Sequence, residues 1–163
     1  MRMTALPILC ALVPGAAWAS ACDTVTEALG RLAAAPAVHQ TISMGDRPQM
    51  QLIALGEAMY VDQGEGGWMK LPLQAGMRAT MMQQAIPDPS ALKDCRAAGA
   101  DAIDGQAMTV YQYLPPSFAG EVPQPQKLWI GDADGLPYRM TTAAEGRPME
   151  MTVRYQDVSA PLP

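Results

Sequence analysis

Met149-Glu150-Met151-Thr152-Val153-Arg154-Tyr155 carries the sharpest pattern in the chain. Successive side chains of a β-strand point to opposite faces, so Met149, Met151, Val153 and Tyr155 share one face, and Glu150, Thr152 and Arg154 the other. One apolar and one polar face is the signature of an antiparallel sheet with one side covered and one side wet. Working back, Met108 to Tyr113, Lys127 to Ile130 and Tyr138 to Thr142 read as further strands, with Asp134-Gly135 and Glu145-Gly146 as hairpin turns. Pro115, Pro116, Pro123 and Pro125 cannot donate to a central ladder, so Pro115 to Pro125 reads as a long surface loop.

The first half has the same grammar. Val38, Gln40, Ile42 and Met44 alternate with His39, Thr41 and Ser43 up to Gly45-Asp46. The alternation resumes in Met50, Leu52 and Ala54, then in Met59 and Val61, and Trp68 to Leu71 makes a fourth short strand. Two helical stripes interrupt the period of two. Val25, Leu29, Leu32 and Ala33 mark one between Thr24 and Ala35, stopped by Pro36; Met77, Met81, Met82, Ala85 and Ile86 mark the other, ended by Pro87 and Pro89. A further short helix or turn is expected in Ser90 to Arg96. The expected fold class is α+β: a curved antiparallel sheet, an incomplete β-barrel, with the helices covering its concave face.

The chain start reads as an export signal: Arg2, the short apolar run Ala5 to Val13, the break Pro14-Gly15, then small residues. Residues 1–21 are assigned to this leader, with cleavage after Ala19 or Ala21, and residues 22–163 to one domain. The apolar run is too short to span a bilayer, which takes roughly 20 residues, and no later stretch replaces it. The expected location is the periplasm; a lipid anchor on Cys22 is the minor alternative. Cys10 leaves with the leader, so Cys22 and Cys95 remain and are expected to pair in an oxidising compartment. Closing a loop of roughly 70 residues is worth about 4 kcal/mol in the chain-entropy model.

At this point the order of segments resembles a family. A helix, a four-strand meander, a Met-rich helix, Cys95 with Asp104-Gly105, then Lys127-Leu128-Trp129-Ile130, Asp134-Gly135-Leu136-Pro137-Tyr138-Arg139 and Tyr155 are similar to small periplasmic proteins of the LolA-like superfamily, lipoprotein carriers and lipid-binding relatives. The resemblance covers roughly Ala37 to Pro161. It implies an incomplete barrel closed by helices around a greasy cavity, and no catalytic residues. No motif assigns that family's lid-controlling arginine to Arg31, Arg47 or Arg78.

The composition fits a non-enzymatic binding module better than an enzyme. Of 163 residues 49% are hydrophobic, 13 are Met and Phe118 is the one Phe. Met is unbranched and polarizable, so a wall built from it adjusts to ligands of varied shape. The expected lining of a hydrophobic-ligand cavity is Met50, Leu52, Met59, Met77, Met81, Met108, Val110, Met140, Met151 and Val153. Its expected occupant is a hydrophobic small molecule, an acyl chain, a lipid or a lipoprotein moiety. The alternative is a regulatory or structural protein that binds another envelope protein through an exposed edge strand.

Other chemistries are poorly served. Eleven Lys and Arg against 16 Asp and Glu, a net charge of -5, give no basic cluster for nucleic acid. There is one His, no P-loop and no G-x-S-x-G. Met149-x-Met151 or Met77-x-x-x-Met81 offers paired thioethers to Cu(I), a distant third reading. Asp132-x-Asp134-Gly135 looks like a calcium-loop start, but position 143 is Ala where the closing Glu belongs, so a turn explains it. No cofactor or metal is expected. Asp88, Asp94, Asp101 and Asp104 read as loop carboxylates, and His39 as a surface residue. Trp68 and Trp129 are candidate rim anchors, with Trp129 on the face of Lys127.

Overall fold

The computed structural model describes residues 20–64, 66–117, 122–144 and 146–161. The proposed leader up to Ala19 and Phe118 lie outside them.

The period-two segments all become strands. Ala37–Met44 (β1), Met50–Leu55 (β2), Ala58–Asp62 (β3) and Met69–Lys70 (β4) form the first meander. Lys93–Ile103 (β5), Gln106–Leu114 (β6), Gln126–Gly131 (β7), Pro137–Ala144 (β8) and Arg147–Arg154 (β9) form the second. They make one open antiparallel sheet in the order β4-β3-β2-β1-β9-β8-β7-β6-β5. The two meanders join where β1 pairs with β9, Gln40 opposite Val153 and Ile42 opposite Met151. The architecture is therefore the expected α+β curved sheet.

Helix α1, Ala21–Ala34, starts at Ser20, whose hydroxyl accepts from the Asp23 N–H while the Asp23 carboxylate accepts from the Ser20 N–H. This reciprocal cap satisfies two donors that a helix start leaves unpaired. Val25, Ala28 and Leu32 then fall on one side. They bury against Tyr113, Leu128 and Ile130 in one cluster and Val38, Met151 and Val153 in the next. Each such aliphatic side chain, fully buried, stabilises the fold by roughly 1.5–3 kcal/mol. Helix α2, Met77–Gln84, follows β4, and a 3-10 turn at Pro89–Ala91, capped by Asp88, leads into β5.

One expectation fails here. The region around Cys95 is not a loop but an 11-residue strand, and Asp94 and Asp101 belong to it. Lys-Asp-Cys-Arg-Ala-Ala-Gly-Ala-Asp-Ala-Ile has no alternating apolar face because β5 is an edge strand exposed over nearly its whole length. Its pairing with β6 shifts register between Lys93 and Arg96 and between Ala97 and Gly99, and such bulges add twist and bend. A Cβ on Gly131, at the end of β7, would lie 2.5 Å from Asp134 Oδ1 and 2.7 Å from Gln106 Nε2, so a larger residue there would displace those two side chains.

Candidate functional site

Register assigns every sheet residue to a face. On the helix-bearing face one row runs Met50, Ile42, Met151, Met140 and Leu128 across five strands. Beside it lie Leu52, Gln40 and Val153, and Met44 stands opposite Met149. A 14-residue helix is about 21 Å long, whereas nine strands span roughly 38 Å, so α1 cannot cover this face. Val38, Met151 and Val153 are buried with Leu32 of α1 in one cluster. Val38, Ala54, Met59, Met151 and Val153 are buried, while Ile42, Met44, Leu52, Val61, Met140 and Met149 are half-buried and Met50 is 39% exposed. The result is a methionine-bearing apolar surface that emerges from under α1 toward the Gly45–Gln49 connection.

Helix α2 packs against α1, and it is fastened by a residue the sequence reading left unassigned. Arg78 is buried; its Nη2 donates to the Ala35 carbonyl at 2.7 Å and its Nη1 to the Gly56 carbonyl at 2.8 Å. These two carbonyls belong to the α1 C-cap and the β2–β3 turn, so one guanidinium ties three elements together. The Gly76 N–H donates to Glu57 at 3.0 Å, fixing the helix start to the same turn. Arg78 shares the inward side of α2 with half-buried Met82, whereas Met77 and Met81 are 38% and 45% exposed. The spacing Arg78, Met82, Ile86 was the available signal: a charge within a helical apolar stripe.

The structure thus brings Met50, Leu52, Met59, Met140, Met151 and Val153 onto the helix-bearing face and puts Met77 and Met81 at the surface of α2. Met108 and Val110 are elsewhere. They alternate with Tyr111 and Tyr113, which take the helix-facing phase of β6, and so lie on the opposite face, Val110 opposite Trp129. Both sides of β6 are apolar, so alternation could not choose between them. Tyr113 is buried, its hydroxyl donating to Gln126 at 2.6 Å, and burial pushes its phenol up to about 12.

Cys22 of α1 and Cys95 of β5 are disulfide-bonded, with Cα atoms 5.2 Å apart. The bridge holds the start of α1 to the edge strand and occupies the Cys22 sulfur. Met149 and Met151 share a face as the thioether reading requires, but Met151 is 9% exposed. No group of three or more His, Cys, Asp or Glu able to hold a metal occurs among the described residues.

The opposite face is polar over β1, β8 and β9, where it carries His39, Thr41, Arg139, Thr152 and Arg154. Trp129 donates its indole N–H to Asp101 at 2.8 Å, and the Arg139 guanidinium lies 5.5 Å from its ring centroid. That indole hydrogen bond, with the Ala102 N–H, holds the Asp101 carboxyl below the usual carboxylate range. Trp68 is half-buried with its ring edge toward His39. The Asp132–Gly135 segment is a turn: Asp134 accepts from the Leu136 N–H, the Tyr138 hydroxyl and Gln106, and Asp132 accepts from Thr109. Partial burial would raise Asp134, but those donors outweigh it and hold the carboxyl below its ordinary value. Burial, then the facing Tyr138 and Asp134, raises the Tyr155 phenol, whose hydroxyl donates to the Pro137 carbonyl at 2.6 Å.

No family model matches the sequence. Nor does the sequence match any curated protein. Solved structures do match. LprF from Mycobacterium bovis aligns over 88% of this chain and 96% of its own, with a TM-score of 0.57 and 14% identity. The Mycobacterium tuberculosis lipoprotein LppX aligns over 86% and 97%, with a TM-score of 0.58 and 13% identity. A LolA superfamily protein from Nitrosomonas europaea is far more distant, at a TM-score of 0.28 and 9% identity. At such identities the likeness is one of fold. The chain shares the fold of LprF and LppX, an open curved antiparallel sheet with its helices on one side.

Proposed function

We propose that the protein is a non-enzymatic envelope protein that binds a hydrophobic ligand, an acyl chain, lipid or lipoprotein moiety, on the helix-bearing face of its sheet. The observation that carries this reading is the partly covered apolar surface of Ile42, Met44, Met50, Leu52 and Met149 on the helix-bearing face. Sequestering an acyl chain there gains about 0.8 kcal/mol per buried CH₂, so a chain of about a dozen carbons binds usefully after ordering costs. Thioether side chains suit such a wall, since they repack around chains of different length and unsaturation. Met59, Met140, Met151 and Val153 lie on the same face of the sheet, and Met77 and Met81 are exposed on α2. The shared fold with lipoprotein LppX is consistent with this assignment. An envelope address rests on the leader pattern and on the disulfide; among the described residues no helix is long and apolar enough to cross a membrane.

The test is native mass spectrometry of protein purified from a bacterial envelope. Extractable acyl lipid in stoichiometric amount supports the reading; a clean apo mass after reconstitution with fatty acid and phospholipid overturns it.

A second reading draws on β5. This exposed 11-residue edge offers unpaired backbone groups to an incoming strand, so a partner protein could add there. Crosslinking from a photoreactive residue at Ala98 to an envelope protein would favour it.

A further inference from the structure

The polar face of the sheet carries a recess that the acyl-binding reading does not use. Its volume is about 730 Å³, inside the roughly 300–1,000 Å³ range of small-molecule sites. The floor is set by register: Thr41 of β1 opposite Thr152 of β9, Thr152 opposite Arg139 of β8, and His39 opposite Arg154. One wall is the β5–β6 hairpin tip at Ile103 and Asp104, and the other is the chain after β9, Gln156 and Asp157.

Its charges of opposite sign, Arg139 and Arg154 against Asp104 and Asp157, make no ion pair with one another. Arg154 donates to Nδ1 of His39 at 3.0 Å, which requires a neutral imidazole with its proton on Nε2, directed at Gln51 Oε1 2.9 Å away. Arg154 therefore spends one donor on a neutral ring and none on a carboxylate. Arg139 has a long contact, 3.7 Å, from Nε to Glu150 and keeps the rest of its fork. Among the described residues, the carboxylates of Asp104 and Asp157 and the hydroxyls of Thr41 and Thr152 make no hydrogen bond or ion pair. A simple anion in this recess would meet two aspartates, and a simple cation two guanidinium groups. A ligand with both charges satisfies the basic floor and an acidic wall together.

We propose that this recess is a second binding site, independent of the apolar face, for a small zwitterion. Its anionic end lies on Arg139 and Arg154 with the Thr41 and Thr152 hydroxyls of the floor, and its ammonium end on Asp104 of one wall or Asp157 of the other. Free amino acids, short peptides and the phosphoethanolamine head group of a lipid share this chemistry.

The test is an NMR titration of the full chain with alanylalanine and phosphoethanolamine, with inorganic phosphate and ethylamine as single-charge controls. The expected result is saturable shifts at the amides of Thr41, Thr152 and Asp104, with the controls at least about tenfold weaker. Arg154→Gln, an exposed change, should weaken a dipolar probe by about tenfold. Asp104→Asn with Asp157→Asn should abolish the preference over phosphate. Displacement of phosphoethanolamine by lysophosphatidylethanolamine micelles assigns a lipid head group as the source, and its retention assigns a soluble zwitterion; both uphold the site. Phosphate binding as tightly as phosphoethanolamine to the unaltered protein, shifts that survive Arg154→Gln, or shifts confined to the methyls of Met50 and Met149 would each overturn it.

Discussion

The Arg78 guanidinium donates to the carbonyl of Ala35, joining α2 to the C-cap of α1 across 43 residues of sequence. The second bond, to Gly56, makes this buried cation the fastening of α2 to the β2–β3 turn. Arg78→Met should cost about 2–3 kcal/mol in urea denaturation, since it removes two hydrogen bonds from a charged donor and strands two carbonyls. Hydrogen exchange should then accelerate across Met77–Gln84 while β7 and β9 stay protected. Unchanged exchange in α2 would show that its apolar contacts alone hold it.

The two faces predict opposite outcomes for two methionines. Met50→Glu places a charge on the open apolar surface, so co-purified acyl lipid should fall severalfold while stability stays within about 0.5 kcal/mol, as for most exposed changes. Met108→Ala opens a cavity at a 1%-exposed position on the other face and should cost about 2–5 kcal/mol without altering bound lipid. Lipid quantitation and thermal melts on both variants separate these effects.

Opening the Cys22–Cys95 bridge, which spans 73 residues, should remove about 4 kcal/mol. Because the bridge joins α1 to an edge strand, β5 and the helix start should loosen first. Denaturation of Cys22→Ser with Cys95→Ser, paired with proteolysis mapped to residues 93–103, measures both.

Asp101 and Tyr113 give pH dependence of opposite sign. The Asp101 carboxyl is depressed by the Trp129 indole, so its contribution is present above the ordinary value of 3.8 and lost as pH falls through the lower folded value. The Trp129 indole proton resonance should therefore move only below pH 3.8. Tyr113 is raised to about 12 by burial, so its contribution is complete below pH 10 and disappears as pH climbs toward 12. Tyr113 should account for about 2–3 kcal/mol of the stability lost across that window, and Tyr113→Phe should reduce the loss by that amount while leaving the part due to the raised Tyr155.

Alternation in Val38–Met44 and Met149–Tyr155 was enough to define strands, faces and a one-sided sheet, because half-buried strands must sort apolar from polar at every second residue. Helical stripes around Leu32 and Met81 and the two remaining cysteines were equally local signals. Three features were not. Strand β5 has no buried face, so nothing in its Ala- and Asp-rich sequence alternates; only pairing with β6 reveals it. The side taken by Met108 and Val110 depended on which phase of β6 met α1, and Tyr111 and Tyr113 won that contact. Arg78 could be buried because folding brings the Ala35 and Gly56 carbonyls within its reach. The polar recess likewise exists only once the β5–β6 tip and the segment after β9 meet over β1, β8 and β9. Periodicity is written along the chain, whereas phase choice, edge pairing and charge juxtaposition depend on residues that are distant in sequence, and tertiary packing selects them.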